Sequence, residues 1–421
     1  MSNFFKNTSI YLLSNIVNAL IPFILLPILT RYLTPLQYGE VAIFQIFVLG
    51  LGAFVGLNTV GASMRRYYDE GVNKIKHAEY NTACLSVLLI SAVITGFCVW
   101  LFRSTFEQYL SIEVLWIYSA VLLSIANYLI QLRLSQWQVR EKPIQYGVVQ
   151  VFNSLLNLSL SLLFVTVLFK GSEGAIGGVV SSGFIMGGVC FILLLKGEHL
   201  KIVLPKLSDI KNALDFGVPL IPHVFGVFLL SSVDRIIIGH ELGLSSAGIY
   251  MLAVQVSMAL NLIFNSINKA YVPWLYKSLS ENNYEIKLYI VKNTYLYFLS
   301  LAFIAILGFT LAPIVIGFVV GDKFKIASEY IGWLILGQVF TGMYLMVTNY
   351  IFYSKETKIL SLITILSGML HVFMLFLLTP KFGLYGACYS FVFCMAIRFL
   401  LVWYLAAKKI KMPWILNKES K

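Results

Sequence analysis

Charged residues are scarce in this chain. Of its 421 residues only 12% are Asp, Glu, Lys or Arg, about half the share of a typical soluble domain. Apolar residues make up 59%, which excludes a water-soluble fold. At about 20 residues per membrane-spanning helix, the length accommodates roughly a dozen spans and leaves no room for a soluble catalytic domain.

The sequence also lacks the motifs of several enzyme and metal-binding classes. It contains no phosphate-binding GxxxxGK[ST] loop, which excludes ATP as an energy source within this chain, and no HExxH, GxSxG or carboxylate pair. Its five cysteines lie in apolar runs and form no CxxC motif or Cys/His pair at metal-ligand spacing. We therefore expect no catalytic residues, no metal and no bound cofactor.

Long apolar runs predict twelve transmembrane helices. Helices are expected because irregular chain would leave backbone groups unpaired in hydrocarbon. The predicted spans are residues 9–29, 38–62, 82–102, 113–132, 144–169, 174–195, 212–239, 246–272, 292–320, 327–353, 358–378 and 383–407. The first run is longer than a signal-peptide core and has no small-residue cleavage site, so we expect it to remain as a span.

Lysine and arginine residues concentrate on one side of these spans. With the N-terminus inside, 23 of the 31 lie in cytoplasmic segments, six lie on the other side, and Arg235 and Arg398 lie within spans. Basic residues mark cytoplasmic loops, so both termini are expected in the cytoplasm. Short basic loops that face an anionic leaflet account for the net charge of +12, which excludes nucleic acid as a partner.

Three short matches predict that the second half of the chain repeats the first. They are RYLTPLQYG (31–39) with HELGLSSAG (240–248), RE (140–141) with KE (355–356), and GSEGA (171–175) with GLYGA (383–387). Six spans per half is an even number, which gives both halves the same orientation, as in parallel-repeat transporters. We predict an all-α polytopic membrane protein of two pseudo-symmetric six-helix bundles, residues 1–200 and 201–421, around a central cavity.

Polar residues recur at helical spacing within five spans. These stripes are Tyr11, Ser14, Asn15 and Asn18; Ser124, Asn127 and Gln131; Gln150, Asn153, Asn157 and Ser161; Ser257, Asn261, Asn265 and Asn268; and Ser361, Thr364 and His371. Each stripe alone is also compatible with hydrogen bonding between helices. Because stripes occur in both halves, together they favour a water-filled cavity that accepts a sugar.

Ionisable residues in the spans are fewer than these neutral polar residues. A charged side chain costs about 2.5 to 3.5 kcal/mol to insert at the bilayer centre. The ionisable residues are His223, Asp234 and Arg235 in span seven, Arg398 in span twelve, and Arg31 and Lys269 near the ends of spans one and eight. On a continuous helix His223 and Asp234 would share a face. Each of these residues also has a purely structural interpretation. Asp234 and Arg235 can form a structural latch, Arg31 and Lys269 can extend (snorkel) to the membrane interface, and the histidines can be hydrogen-bonded within the protein.

Two segments resemble the Wzx-type polysaccharide flippases of the MOP superfamily. They are NTSIYLLSNIVNALIPFILLPILTRYLTPLQYGEVAIFQ (7–45) and SVDRIIIGHELGLSSAGIY (232–250), and the resemblance extends over the full chain in span count and order. It implies that undecaprenyl-pyrophosphate-linked oligosaccharide, an O-antigen or capsule repeat unit, is turned from the cytoplasmic to the outer leaflet of the bacterial plasma membrane by alternating access. Membrane lipids and a polysaccharide polymerase complex are the implied partners.

Such a substrate joins a hydroxyl-rich glycan to an anionic pyrophosphate, which favour amides and cationic groups respectively. The candidate substrate-binding residues are Arg31, Arg235, Arg398, Lys269, His223, Asn261, Asn265, Asn153, Asn157 and Asn18. Asp234 is the candidate for H⁺ or Na⁺ coupling or for the latch.

Two other functions are weighed against the flippase. The first is a cation-coupled multidrug or metabolite exporter of the same fold. Exporters of that kind tend to use buried carboxylates in the first half, where this sequence has only Glu40 at a span entrance. The second is a membrane enzyme such as a polymerase or acyltransferase, which needs a larger outside loop or an embedded acid/base pair than this chain has. We therefore expect a transporter rather than an enzyme.

Overall fold

A computed structural model of the protein describes residues 2–69, 73–201, 203–281 and 283–415. Within these ranges the chain forms α-helices and no β-strand. The helices are α1 (Ser2–Tyr32), α2 (Pro35–Leu51), α3 (Thr59–Arg66), α4 (Lys74–Leu101), α5 (Arg103–Leu110), α6 (Val114–Val139), α7 (Pro143–Leu162), α8 (Gly171–Lys196), α9 (Leu207–Gly217), α10 (Ile221–Ser231), α11 (Val233–Leu242), α12 (Leu244–Ser280), α13 (Tyr284–Val319), α14 (Ser328–Tyr353), α15 (Thr357–Phe382) and α16 (Leu384–Lys409). A π-helical turn, Leu163–Val167, follows α7, and 3₁₀ turns occupy Val218–Leu220 and Asp322–Ala327.

The described helices have the lengths and composition that a bilayer requires. Eleven helical segments within the described ranges are long and apolar enough to cross it, and the shorter apolar helix α2 accompanies them. Large apolar side chains such as Val93 (72% exposed) and Ile94 (58%) face outward, as expected for surfaces in contact with lipid. The predicted all-α, multi-pass membrane fold of about twelve spans is confirmed.

The prediction of one helix over residues 38–62 is wrong. Helix α2 ends at Leu51, and α3 begins only at Thr59. Between them Gly56, Leu57 and Asn58 all adopt positive φ angles, which a right-handed helix cannot accommodate.

The seventh predicted span, 212–239, is also not one helix. It consists of α9, the 3₁₀ turn, α10 and α11, with a turn at Ser232 between the last two. Pro219 lies in the 3₁₀ turn and Pro222 follows it, and neither has a backbone N–H to continue the helical hydrogen bonding. The expectation that His223 and Asp234 share one helical face is therefore wrong, because they belong to different helices.

Helix α12 is longer than predicted. It extends to Ser280, eight residues beyond the predicted end at 272. Lys269 consequently lies inside the helix and not at its end.

The chain divides into two compact units. The N-terminal unit comprises Met1–Phe228 and Leu242–Gly248, and the C-terminal unit comprises Leu229–Glu241 and Ile249–Lys421. In the N-terminal unit α6 packs on α8, α7 packs on both α1 and α8, and α9 packs on α3 and α4. In the C-terminal unit α16 packs on α14 and α15, and α13 packs on α14. Buried aliphatic side chains fill both, for example Leu132 in the first and Val402 in the second.

Two pairs of glycines anchor the sequence repeat, one pair sharing a backbone conformation and the other a mutual contact. Gly171 and Gly383, which precede or open the last helix of each half, have φ angles of +55° and +60°. Gly39 and Gly248 lie against each other within the N-terminal unit. A Cβ at Gly39 would overlap the carbonyl group of Leu244, and one at Gly248 would overlap that of Pro35. The repeated glycines thus permit a reciprocal close approach of the starts of α2 and α12.

The turns that follow α6 and α14 also have the same geometry. Glu141 and Lys355 adopt positive φ angles of 52° and 63°. The N–H of the next residue, Lys142 or Glu356, donates to the carbonyl five positions earlier, at 2.9 and 3.2 Å. The structure therefore pairs Lys142 with Glu356, which corrects the predicted alignment of RE with KE by one residue.

Candidate functional site

Asp234 and Arg235 begin helix α11 and form a buried ion pair in the C-terminal unit. One carboxylate oxygen, Oδ1, accepts from the Arg235 guanidinium at 2.8 Å and from the Arg235 backbone N–H at 3.0 Å. Arg235 also donates to the carbonyl of Ser231. The side chains are only 3% and 4% exposed, so each neutralises the other away from water. This is the geometry that a structural latch requires.

A buried histidine lies within electrostatic range of this pair. His371 interacts with the charges of both Asp234 and Arg235. Its Nδ1 lies 2.9 Å from the Ser390 hydroxyl, which itself donates to the His371 carbonyl at 3.2 Å. Because that hydroxyl has one proton, Nδ1–H donates to it and Nε2 holds the free lone pair. Nε2 is buried with no hydrogen-bond partner among the described residues.

Arg398 has a different environment. Its guanidinium carbon lies 3.9 Å from the centre of the Tyr344 ring, and one terminal nitrogen is 3.5 Å from the Thr364 hydroxyl. Within the described ranges no carboxylate forms an ion pair with it, and its Nε has no hydrogen-bond partner. Arg398 therefore keeps its charge and part of its donor capacity for another group.

The amide stripe on α12 divides into two kinds of residue. Asn261 donates to Gln338 at 2.8 Å, and Asn349 donates to Asn268 at 2.7 Å, so both contacts tie α12 to α14. Asn265 is exposed and donates at 2.7 Å to the carbonyl of Asn261 on its own helix. Asn265 is thus the member of the stripe whose side chain faces outward.

Two of the other predicted stripes meet in a cavity inside the N-terminal unit. Its volume is about 120 Å³. It is lined by Phe44, Gln45, Val48, Leu123, Asn127, Asn153, Asn157, Val179, Ser182 and Gly183. The polar lining is therefore made of amides and a hydroxyl, without an ionisable side chain. Gln45 and Ser182 belong to no polar stripe, so no periodic pattern predicted them.

The first stripe bonds to α7 within the same unit. Ser154 donates to Asn18, and Gln150 donates to Asn15 at 3.1 Å. These amides therefore hold two neighbouring helices together. This is the alternative to a cavity lining that such a stripe allows, namely hydrogen bonding between helices.

The remaining predicted residues lie apart from these groups. Arg31 is exposed at the end of α1, and Lys269 is exposed on α12. His223 is half-buried on α10, and its Nδ1 has no hydrogen-bond partner among the described residues.

A buried polar network at one end of the N-terminal unit was not predicted. The Ser63 hydroxyl donates to Asn81 at 2.5 Å and accepts from Gln136 at 2.9 Å, and Asn81 donates to the carbonyl of His199 at 2.9 Å. Arg140 donates to Gln136 at 2.6 Å. Its members come from α3, α4, the end of α6 and the segment between α8 and α9, so no periodic pattern within one helix revealed it.

His199 itself lies in the segment between α8 and α9. Burial lowers the pKa of its imidazole to about 3, with further contributions from the charges of Arg140 and Arg133. It therefore stays neutral at physiological pH in the folded protein.

Spans that enclose amide groups, a buried ion pair and an uncompensated arginine are typical of a membrane transporter. Among the described residues no group of three or more His, Cys, Asp or Glu side chains could hold a metal ion. The chain belongs to the family described as polysaccharide biosynthesis protein, which matches residues 4–279.

Two proteins of Haemophilus influenzae are similar over most of their length. A protein named for the Lsg locus is 26% identical over 381 residues, which cover 89% of this chain and 91% of that protein. A second, described as an uncharacterized membrane protein, is 27% identical over 370 residues, which cover 87% of this chain and 88% of that protein.

Solved structures share the fold at low sequence identity. An inward-facing multidrug resistance MATE family transporter of the MOP superfamily gives a TM-score of 0.73 at 15% identity, with 94% of each chain covered. The lipid II flippase MurJ in an inward closed conformation gives 0.71 at 12% identity, with 95% of this chain and 87% of that chain covered. The predicted MOP fold is confirmed, and the family and its structural neighbours are transporters and flippases, not enzymes.

Proposed function

We propose that this protein turns an undecaprenyl-pyrophosphate-linked oligosaccharide, an O-antigen or capsule repeat unit, from the cytoplasmic to the outer leaflet of a bacterial plasma membrane. The polysaccharide biosynthesis family supports the class of substrate. The fold shared with the lipid II flippase supports movement of a lipid-linked molecule. Both termini are then cytoplasmic, and a polysaccharide polymerase on the outer side is the partner that would use the product.

The observation that carries this proposal is the kind of polar group inside the spans. The cavity of the N-terminal unit presents Asn127, Asn153 and Asn157, whose amides both donate to and accept from sugar hydroxyls. The C-terminal unit presents Arg398, which has no ion-pair partner among the described residues and suits a phosphate oxygen. Amides for a glycan and a guanidinium for an anion match the two parts of the substrate.

Alternating access would expose these groups first to one side of the membrane and then to the other. The headgroup would cross through the polar interior, while the prenyl chain stays among the lipids. In this scheme Arg398 binds the moving anion, and the Asp234–Arg235 pair holds the start of α11 in place. Arg31 and Lys269, both exposed, would meet the pyrophosphate or acidic sugars at the ends of its path.

Export of drugs or metabolites driven by H⁺ or Na⁺ is the alternative. The inward-facing MATE structure shares the fold equally well, and Asp234 is the one fully buried carboxylate within the described residues. However, Asp234 already neutralises Arg235, and no carboxylate lines the N-terminal cavity. Neither site therefore offers an unpaired carboxylate to bind a coupling ion, which favours the flippase.

Loss of the chain provides the direct test. We expect lipid-linked repeat units to accumulate on the cytoplasmic leaflet and surface polysaccharide to disappear.

Arg398→Ala should reduce surface polymer at unchanged protein level, and Arg398→Lys should partly restore it. The matched control is Arg103→Ala, because Arg103 also lies against an aromatic ring but on the exposed helix α5. Normal polymer in Arg398→Ala, or altered drug resistance without lipid-linked accumulation, would count against the proposal.

A further inference from the structure

A second, basic pocket lies at one end of the N-terminal unit. It is formed where α4 begins, α6 ends and α7 begins, and its volume is about 500 Å³. Its lining residues are Tyr67, Asn73, Lys74, His77, Arg140 and Lys142. None of them lines the amide cavity, so the two cavities are separate. The lining includes three cationic side chains and no carboxylate.

Arg140 is held in this pocket by neutral groups. One terminal nitrogen donates to the carbonyl and the side-chain oxygen of Gln136, at 3.0 and 2.6 Å, and the other donates to Nδ1 of His77 at 3.2 Å. The Tyr67 ring lies 5.0 Å from the guanidinium carbon. These contacts fix its orientation but leave its positive charge uncompensated.

His77 has an orienting role. Because its Nδ1 accepts from Arg140, its proton is on Nε2, which donates to the carbonyl of Ser63 at 3.0 Å. The imidazole is 1% exposed and neutral in this arrangement. The buried network through Ser63 and Gln136 therefore holds the guanidinium in advance of any ligand, as a preorganised binding group requires.

The remaining charges leave the pocket strongly positive. Lys74 is paired with Glu198 at 2.6 Å, whose pKa this lysine lowers. With Arg140 and Lys142 the pocket then has two positive charges in excess. Arg133 is 6% exposed, has two nitrogens without hydrogen-bond partners among the described residues, and is within electrostatic range of Arg140.

We propose that this pocket binds a phosphate or diphosphate group carried by a lipid at the membrane surface. It lies at the ends of membrane-spanning helices, where lipid headgroups are found. A fixed guanidinium with flanking lysines is suited to phosphate oxygens. The group can come from an anionic membrane phospholipid or from a diphosphate-linked carrier, and this inference does not require that a glycan be transported.

Inorganic pyrophosphate is the first probe, added to the purified full chain in detergent at constant ionic strength. We expect it to raise the unfolding temperature. In Arg140→Gln its apparent dissociation constant should rise about tenfold, the effect of losing one charge-assisted hydrogen bond. In Lys142→Gln, an exposed position, the rise should be about threefold. Lys358→Gln, also exposed at the start of a spanning helix but in the C-terminal unit, is the matched control and should behave as the wild type.

Lipid nanodiscs distinguish the two sources. Retention of phosphatidylglycerol over phosphatidylcholine, lost in Lys142→Gln, would assign the pocket to membrane phospholipid. Pyrophosphate binding without such retention would assign it to a diphosphate carrier. If Arg140→Gln does not fold, Lys142→Gln decides the result, because its side chain is outside the buried network. Equal binding of both probes by wild type, Lys142→Gln and Lys358→Gln would overturn the proposal, whatever the polysaccharide assays show.

Discussion

The two units of this protein keep their charges in different places. Inside its spans the C-terminal unit has the Asp234–Arg235 pair and Arg398, whereas the cavity of the N-terminal unit is lined by neutral amides. The N-terminal unit instead concentrates charge at one end, around Arg140 and Lys142. If the two proposed sites are correct, this difference predicts separate tasks for the two halves of a repeated fold, with charge recognition inside one and at the end of the other.

The turns after α6 and α14 show how that divergence arises without a change of backbone. Both turns have a residue with positive φ, followed by the same hydrogen bond to the carbonyl five positions earlier. In the N-terminal unit the donor is Lys142, which lines the open basic pocket. In the C-terminal unit it is Glu356, which forms an ion pair with Lys409. The same turn position therefore carries a lysine that lines an open pocket in one unit and a glutamate that forms a salt bridge in the other.

The largest expected effect comes from breaking the buried pair of the C-terminal unit. Asp234→Asn leaves Arg235 charged and without its counterion, which costs about 3–5 kcal/mol in comparable buried pairs. We expect a lower unfolding temperature in detergent and a lower protein level in the membrane. Changing both residues, as in Asp234→Asn with Arg235→Leu, should recover most of the loss.

The matched variant in the other unit is Asn157→Ala, which removes an amide bonded to Ser161 alone among the described side chains. It should cost less than about 1 kcal/mol. If Asp234→Asn kept normal stability and abundance but abolished transport, the pair would be a coupling site and the contrast between the units would have a different meaning.

A smaller effect is expected at the glycines where the repeat contacts itself. Gly39→Ala and Gly248→Ala each place a methyl group against a backbone carbonyl, which must then shift. Overpacking of this kind costs about 1–3 kcal/mol, and the two variants should be destabilised to a similar extent because the contact is reciprocal. Gly188→Ala, at a helical glycine with open space around it, is the control. Unequal losses in thermal unfolding would show that the two anchors are not equivalent.

Sequence periodicity predicted the helical spans and the anchors of the repeat because both are local. Apolar runs indicate lipid contact residue by residue, and Gly171 and Gly383, which the repeat aligns, both have positive φ angles. The break between α9 and α10 was missed because an apolar run does not show where hydrogen bonding stops. Pro219 and Pro222 were the available signal.

The polar sites were less predictable because they depend on which helices become neighbours. Stripe periodicity identified Asn153 and Asn157, but Gln45 joins the same cavity from a helix that has no stripe. Similarly, the sequence predicts Arg140 between two spans, whereas its partner Gln136 belongs to α6 and its partner His77 lies 63 positions earlier in the chain. Pairings of this kind are set by tertiary packing.

The charged end of the N-terminal unit should also respond to pH. His199 has a pKa of about 3 in the folded protein and about 6.5 when unfolded, so the unfolded chain binds the extra proton first. Stability should therefore fall as the pH drops below 6.5, by about 1 kcal/mol between pH 6.5 and pH 5.5. His199→Gln should flatten this part of the profile measured by denaturant titration, whereas His240→Gln, at an exposed histidine of the C-terminal unit, should not. A profile unchanged by His199→Gln would mean that other groups control the acid response.

The smallest effect tests whether interhelical amides contribute equally in the two units. Asn261 and Gln338 link α12 to α14 in the C-terminal unit at 2.8 Å, and Gln150 and Asn15 link α7 to α1 in the N-terminal unit at 3.1 Å. Double-mutant cycles with alanine should give coupling energies near 0.6 kcal/mol for both, the usual value for such bonds in membrane proteins. Equal values would place the difference between the units in their charges alone. A coupling several times larger for Asn261 and Gln338 would mean that the C-terminal unit also depends on its neutral polar contacts, and the comparison would then have to include them.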